Sequence, residues 1–234
     1  MHVVIARPRE DAVSLVKQLS NRSLDSIIAP MIDITYLDNT AVQLDGVQAL
    51  LFTSANGARA FARASLSREL PVLAVGDATA RMARNLGFDQ VLSANGDVTD
   101  LAKLAIQECR FQAGCLLHPA GSHVAGDLAG LLAEGSLSYR RIVLYRADQV
   151  GVLPEAVRDG LEMGRIAGIV LYSPRSGRIF SNLVSKAGLI DRLRAVMVYC
   201  LSVNVADSIA GLPWAMIKIA PTPNEMAVLA LFEG

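Results

Sequence analysis

The sequence is poor in the residues that usually announce a function. Aromatic side chains are only 5% of its 234 residues, against 52% hydrophobic, so its cores must be aliphatic. Cys109, Cys115 and Cys200 are odd in number and form no C-x-x-C pair. That excludes a disulfide framework and a thiolate zinc site, and suits small core residues in a reducing compartment. His118 and His123 flank a Pro-Ala-Gly turn, and His2 sits at the terminus. None has the spacing of a zinc pair, so no metal is expected. Acidic and basic residues balance at 22 each, which leaves no basic field for nucleic acid. No apolar run approaches the roughly 18 residues of a membrane span. The chain opens directly on an apolar strand with no leader pattern, so a cytoplasmic protein without a membrane partner is expected. Glycine-rich phosphate loops are missing: there is no G-x-G-x-x-G and no P-loop, and Val75-Gly76-Asp77-Ala78-Thr79-Ala80 carries one glycine. There is no G-x-S-x-G elbow and no conspicuous pair of carboxylates.

What the chain does have is a pattern stated twice. Leu51-Phe52-Thr53-Ser54-Ala55-Asn56-Gly57 reads as a buried strand that stops at hydroxyls and opens a helix, and so does Leu171-Tyr172-Ser173-Pro174-Arg175-Ser176-Gly177. A second strand and helix follow each copy, at Val72–Ala80 and Val198–Ala206, and then a third, at Val91–Asp97 and Lys218–Pro223. Cys115–Gly121 resembles the N-terminal Val3–Pro8, and Arg140–Tyr145 resembles Ser26–Ala29. Apolar runs alternating with helical periods predict parallel sheets with helices on both faces. The helix near 9–20 carries Val13, Leu15, Val16 and Leu19. Ile32–Leu37 alternates and suits an exposed extended segment.

The order of the copies predicts two similar flavodoxin-like or Rossmann-like α/β domains, one inserted into the other. Residues 1–35 and 150–234 form the split domain, 39–144 the inserted one, and 36–38 and 145–149 link them as a two-segment hinge. Ligands of such sheets bind beyond the carboxyl ends of the strands, where helix N-termini favour anions. The candidates there are Arg7, Thr53, Ser54, Asn56, Gly76, Asp77, Thr79, Gly121, Ser173, Arg175, Ser176, Ser202, Asn204 and Thr222. Ser and Thr at such places are also ordinary helix caps, and each position stays open between capping and ligand binding. A set of neutral hydrogen-bond donors with a few arginines suits a carboxylated or phosphorylated small molecule, and a reaction that needs orientation more than a strong catalytic group.

Taken in order, Ala6-Arg7-Pro8, Phe52–Gly57, Ala74–Ala80, Val143-Leu144-Tyr145-Arg146, Tyr172–Ser176 and Ala220-Pro221-Thr222 make the whole chain similar to the uroporphyrinogen-III synthase family. The resemblance implies a cofactor-free reaction on hydroxymethylbilane, a linear tetrapyrrole with eight carboxylates. Its hydroxyl leaves as water, the last ring is inverted, and the macrocycle closes. The resemblance also points to Tyr145 as the acid that assists departure of the hydroxyl. A phenol is protonated at neutral pH and can donate. The other reading of Tyr145 is a ring that packs at the end of a linker. The chain departs from the family pattern at Ser202-Val203-Asn204-Val205-Ala206, where the family usually has Gly-x-x-Thr-Ala. A monomer is expected. Two other functions share the pattern: a two-domain anion sensor without chemistry, and a nucleotide-dependent transferase, against which the missing glycine-rich turns argue.

Overall fold

The computed structural model describes residues 1–124 and 126–233; Ala125 and Gly234, which fall in the expected inserted and split domains respectively, lie outside them. In chain order the first elements are β1 (His2–Ile5), α1 (Arg9–Ser20), β2 (Asp25–Ile28) and β3 (Ile32–Tyr36). Next come β4 (Val47–Phe52), α2 (Ala55–Ala64), β5 (Val72–Ala74), α3 (Asp77–Asn85), β6 (Val91–Ser93) and α4 (Val98–Glu108). They are followed by β7 (Cys115–Gly121), α5 (Leu128–Glu134) and β8 (Tyr139–Gln149). The last are α6 (Glu155–Glu162), β9 (Ile166–Leu171), α7 (Pro174–Lys186), β10 (Met197–Cys200), α8 (Val203–Asp207), β11 (Met216–Ile219) and α9 (Glu225–Ala230). The chain forms two compact units, residues 1–33 with those from Asp148 onward, and residues 34–147.

The first unit holds a parallel sheet in the order β11-β10-β9-β1-β2. Counted within the unit this is the flavodoxin-like order 2-1-3-4-5. The second holds β3-β8-β7-β4-β5-β6, and its five strands from β8 to β6 pair in parallel. Leaving aside the edge strand β3, this is the same spatial order with the connections permuted. β7 and β8 take the places of β1 and β2, while β4, β5 and β6 take those of β9, β10 and β11.

Central strands covered on both faces must be apolar throughout. Val4, Ile5, Leu50, Leu51, Phe52, Ile169, Val170 and Leu171 are accordingly fully buried. On one face of the second sheet Leu50, Phe52 and Leu117 pack with Ala58 and Phe61 of α2 and Ala80 and Ala83 of α3. On the other, Ala49, Leu51 and Leu116 pack with Leu101 of α4 and Leu128 and Leu132 of α5. The notable aromatic cluster in this core is Phe52, Phe61 and Phe88, with ring centroids 5.7–6.1 Å apart. Arg68 lies over the Phe88 ring and donates to the carbonyls of Ala62, Ser65, Ser67 and Leu86. It thereby satisfies backbone acceptors left open at the ends of α2 and α3.

The exposed extended segment expected at Ile32–Leu37 is the edge strand β3, with alternate residues exposed and Leu37 N–H donating to Leu144 O. Residues 145–149, expected as a link, are the last residues of β8. One expectation differs from the structure: the last helix begins at Glu225, capped by Asn224, and not at Pro223.

One packing contact fixes the corner after β4. A Cβ added at Gly57 would lie 2.6 Å from the Pro119 carbonyl oxygen, so α2 reaches β7 only because residue 57 has no side chain. Gly57→Ala should lower stability by about 1–3 kcal/mol, the usual cost of overpacking. Gly211→Ala, which meets nothing within 4 Å, should change it little. Urea midpoints of the two variants check this.

Candidate functional site at the carboxyl edges of the two sheets

In each sheet the helices that follow the two central strands leave on opposite faces. After β1, α1 packs with Val3, Ile5 and α9, whereas α7, after β9, packs with Val4, Ile169 and Leu171. After β7 and β4, α5 and α2 separate in the same way. Such a divergence opens a crevice at the carboxyl ends of the strands, the standard ligand position in this architecture. Arg7 and Tyr172 flank the crevice of the first unit; Thr53, Ser54, Gly121 and Tyr145 flank that of the second.

Thr53 and Ser54 are neighbours, but side chains alternate across a sheet, so they part to opposite faces. The Ser54 hydroxyl caps α2, accepting from Gly57 N–H at 3.2 Å, and lies 2.9 Å from the Tyr145 hydroxyl. The Thr53 hydroxyl lies 2.9 Å from His118 Nε2, and His118 Nδ1 lies 2.7 Å from the Tyr139 hydroxyl. Tyr145 owes its position to a break in register. Ala120 pairs with Val143 but Gly121 pairs with Tyr145, so Leu144 and Tyr145 both reach the Phe52 face. Bulges re-aim side chains in this manner. Gly121 is needed there, because a Cβ would lie 2.9 Å from the Tyr145 ring. Arg141 donates to the carbonyls of Gly121 and Ser122 and ties down the end of β7.

The remaining candidates are placed as follows. Asn56 Oδ1 accepts from Arg59 at 2.8 Å. Gly76 is the extended N-cap of α3, with Asp77 exposed and Thr79 buried in its first turn. In the first unit Arg7 stacks on the Tyr172 ring, 4.1 Å from its centroid, and pairs with Glu225 at 3.0 Å. The Tyr172 hydroxyl is buried without a hydrogen-bond partner, and burial raises its pKa to about 12. Ser173 caps α7, accepting from Ser176 N–H and donating to the Ser176 hydroxyl. Arg175 is exposed on the first turn of α7. Ser202 is the N-cap of the short α8 but its side chain makes no capping bond; Asn204 is exposed and Val205 is core. Thr222 is exposed and bonded to Asn224.

Sequence reasoning gave no role to His118, Tyr139 or Arg141. The available signal was parity. His118 lies one pair beyond Leu116, Arg141 one pair beyond Tyr139, and His118 and Arg141 are direct partners across β7 and β8. All four therefore share one face. His123 is exposed beside Ser122. A cavity of about 360 Å³ lies at the opposite, amino edge of this sheet, between Gln48, Pro71, Gln90 and Cys109, away from the crevice of this unit.

Comparison with known proteins decides the family. The family model described as "Uroporphyrinogen-III synthase HemD" matches residues 13–230. The chain belongs to the uroporphyrinogen-III synthase family. The uroporphyrinogen-III synthetase of Helicobacter pylori shares its fold at a TM-score of 0.65 and 14% identity, over 99% of this chain and 98% of that one. A mutant uroporphyrinogen III synthase of Thermus thermophilus gives 0.57 and 15%, over 100% and 98%. No curated protein matches the sequence. At these identities the synthases share the fold while the side chains at the crevices must be read from this chain itself. None of the helices among the described residues is long and apolar enough to cross a membrane.

His118 gives this synthase a pH signature. It is 1% exposed, and burial first, then the charge of Arg141, lowers its pKa from 6.5 to about 4. The unfolded chain binds a proton here between those values and the folded chain does not. Stability is therefore full above about pH 6.5 and falls as pH drops toward 4, by up to about 3 kcal/mol. His118→Gln should flatten this part of the profile, read as urea midpoints at pH 7.5 and 4.5.

Proposed function

We propose that this synthase closes hydroxymethylbilane to uroporphyrinogen III, with inversion of the last ring and loss of water, and that Tyr145 is the acid that assists the departing hydroxyl. The observation that supports it is the Ser54–Tyr145 pair in the second crevice. Ser54 accepts from the Gly57 N–H. Ser54 Oγ lies 2.9 Å from Tyr145 Oη, and either hydroxyl can donate; when Ser54 donates, the phenolic proton is left for a ligand. General acid help of this kind is worth roughly 10²–10⁴ in rate. The enzyme would be a hydro-lyase.

The substrate supplies its own driving force for ionisation, so the protein's main task is orientation. The substrate carboxylates would be held by Arg7, Thr53, Ser54, Asn56, Gly76, Thr79 and Gly121, and by Ser173, Arg175, Ser176, Ser202, Asn204 and Thr222. Backbone N–H groups at helix starts favour anions without a large positive charge, which fits a chain of zero net charge. We further propose a monomer that acts in the cytoplasm without metal, organic cofactor or nucleic-acid partner.

Incubated with fresh hydroxymethylbilane, the protein should give mainly the type III isomer, faster than spontaneous closure gives type I. Type I alone at the uncatalysed rate, from folded protein, would overturn the proposal. Tyr145→Phe should lower kcat about 10- to 1000-fold with only a modest fall in melting temperature, since ring volume is unchanged and Ser54 keeps its bond from Gly57 N–H. A wild-type kcat and isomer ratio in this variant would make Tyr145 a packing residue.

A further inference from the structure

We propose that His118 is a positioning residue, held neutral with its proton on Nε2, which fixes the Thr53 hydroxyl so that its proton points into the crevice of the second unit. The inference rests on the reading above only for what Thr53 then binds.

A neutral imidazole has one N–H and one bare nitrogen. Its two neighbours are hydroxyls, Tyr139 at Nδ1 and Thr53 at Nε2. Either Tyr139 donates to Nδ1 and Nε2–H donates to Thr53, or the whole chain of donors runs the other way. A phenol is a much stronger acid than an aliphatic alcohol and a poorer acceptor. The contact to Tyr139 is also the shorter, 2.7 Å against 2.9 Å. Both points favour Tyr139 as donor and Nε2–H as the donor to Thr53. With its oxygen accepting from His118, Thr53 keeps its own proton for a group in the crevice, and that group must be an acceptor such as a carboxylate.

The surroundings keep the ring neutral. Arg141 on β8, the direct strand partner of His118, is a cation on the same face, and it and burial both lower the imidazole pKa. The other groups in contact are the hydroxyls of Tyr139 on β8 and of Thr53 beyond β4, and Asp127 near Tyr139 acts on the phenol. The arrangement is specific to this unit. The first unit has Ile5 at the place of His118 and Tyr172 at the place of Thr53, by the registers of β1 with β9 and of β7 with β4.

Two measurements test the proposal. Nitrogen-15 NMR of the imidazoles, assigned by comparison with His118→Asn, should show the His118 ring as the neutral Nε2–H form from pH 5 to 8. An Nδ1–H form, or a charged ring at pH 6, would overturn the proposal whether or not the protein makes uroporphyrinogen III. The second is a double-mutant cycle on kcat/KM with hydroxymethylbilane. Thr53→Ala and His118→Asn should each cost about 5-fold, the scale of one hydrogen bond, and the double variant little more than either. His118→Gln puts its amide where Nε2 was and should restore most of the loss, and the pH profile of kcat/KM should carry no step from this ring between pH 5 and 8. Losses that multiply in the double variant, or equal losses for the Asn and Gln variants, would mean that His118 only fills space.

Discussion

The alternation of side chains across a single buried strand is the constraint from which the second unit's site follows. β4 must be apolar on both faces because helices cover both. Polar groups can appear only where the strand ends, and the first two there, Thr53 and Ser54, are forced apart by the pleat. Each then needs a partner, since a hydroxyl left unpaired beside a dry core costs about 1–3 kcal/mol. Each face supplies one from a strand beyond: Tyr145 of β8 for Ser54, and His118 of β7, backed by Tyr139, for Thr53. The polar groups of the crevice are thus anchored to three adjacent strands and not to loops, the precision that orientation-dependent chemistry requires.

The same economy governs charge. A ligand rich in carboxylates could be met with a lysine cluster, but stacked cations would repel one another in the empty protein. In this chain the polar groups beyond the strand ends are mostly hydroxyls and helix starts. Of the two arginines read from the sequence, Arg7 is clamped by Glu225 and stacked on Tyr172. The clamp holds the guanidinium in place while leaving the side chain about one-fifth exposed.

Much of the fold was legible because the central parallel strands, buried on both faces, leave an unmistakable apolar run, and because the strand-to-helix units recur in both halves of the chain. The site was legible only in part. Ser54, Ser173 and Tyr145 stand at strand and helix ends that the pattern marks. The register slip that turns Tyr145 over Gly121 left no trace in the sequence, since a one-residue bulge changes no residue type. His118 was hidden for a different reason. Inside an apolar strand a single histidine looks like a misplaced polar residue until the register with β8 brings Tyr139 and Arg141 to its face.

Duplication within the chain separates what the fold needs from what the chemistry needs. Ser54 and Ser173 occupy equivalent corners and both cap the helix that follows, with N–H partners three residues on. A residue kept in both copies for that reason is explained by helix initiation alone, worth about 1 kcal/mol. The positions beside them have diverged. Where the second unit has Thr53 on His118, the first has Tyr172 under Arg7 with a buried hydroxyl that finds no partner. Where the second has buried Thr79 in the first turn of α3, the first has core Val205. Capping cannot account for these differences, since the backbone layout is shared. The diverged positions follow the packing of each unit instead: Val205 joins the core of the first unit, and Tyr172 carries the Arg7 stack.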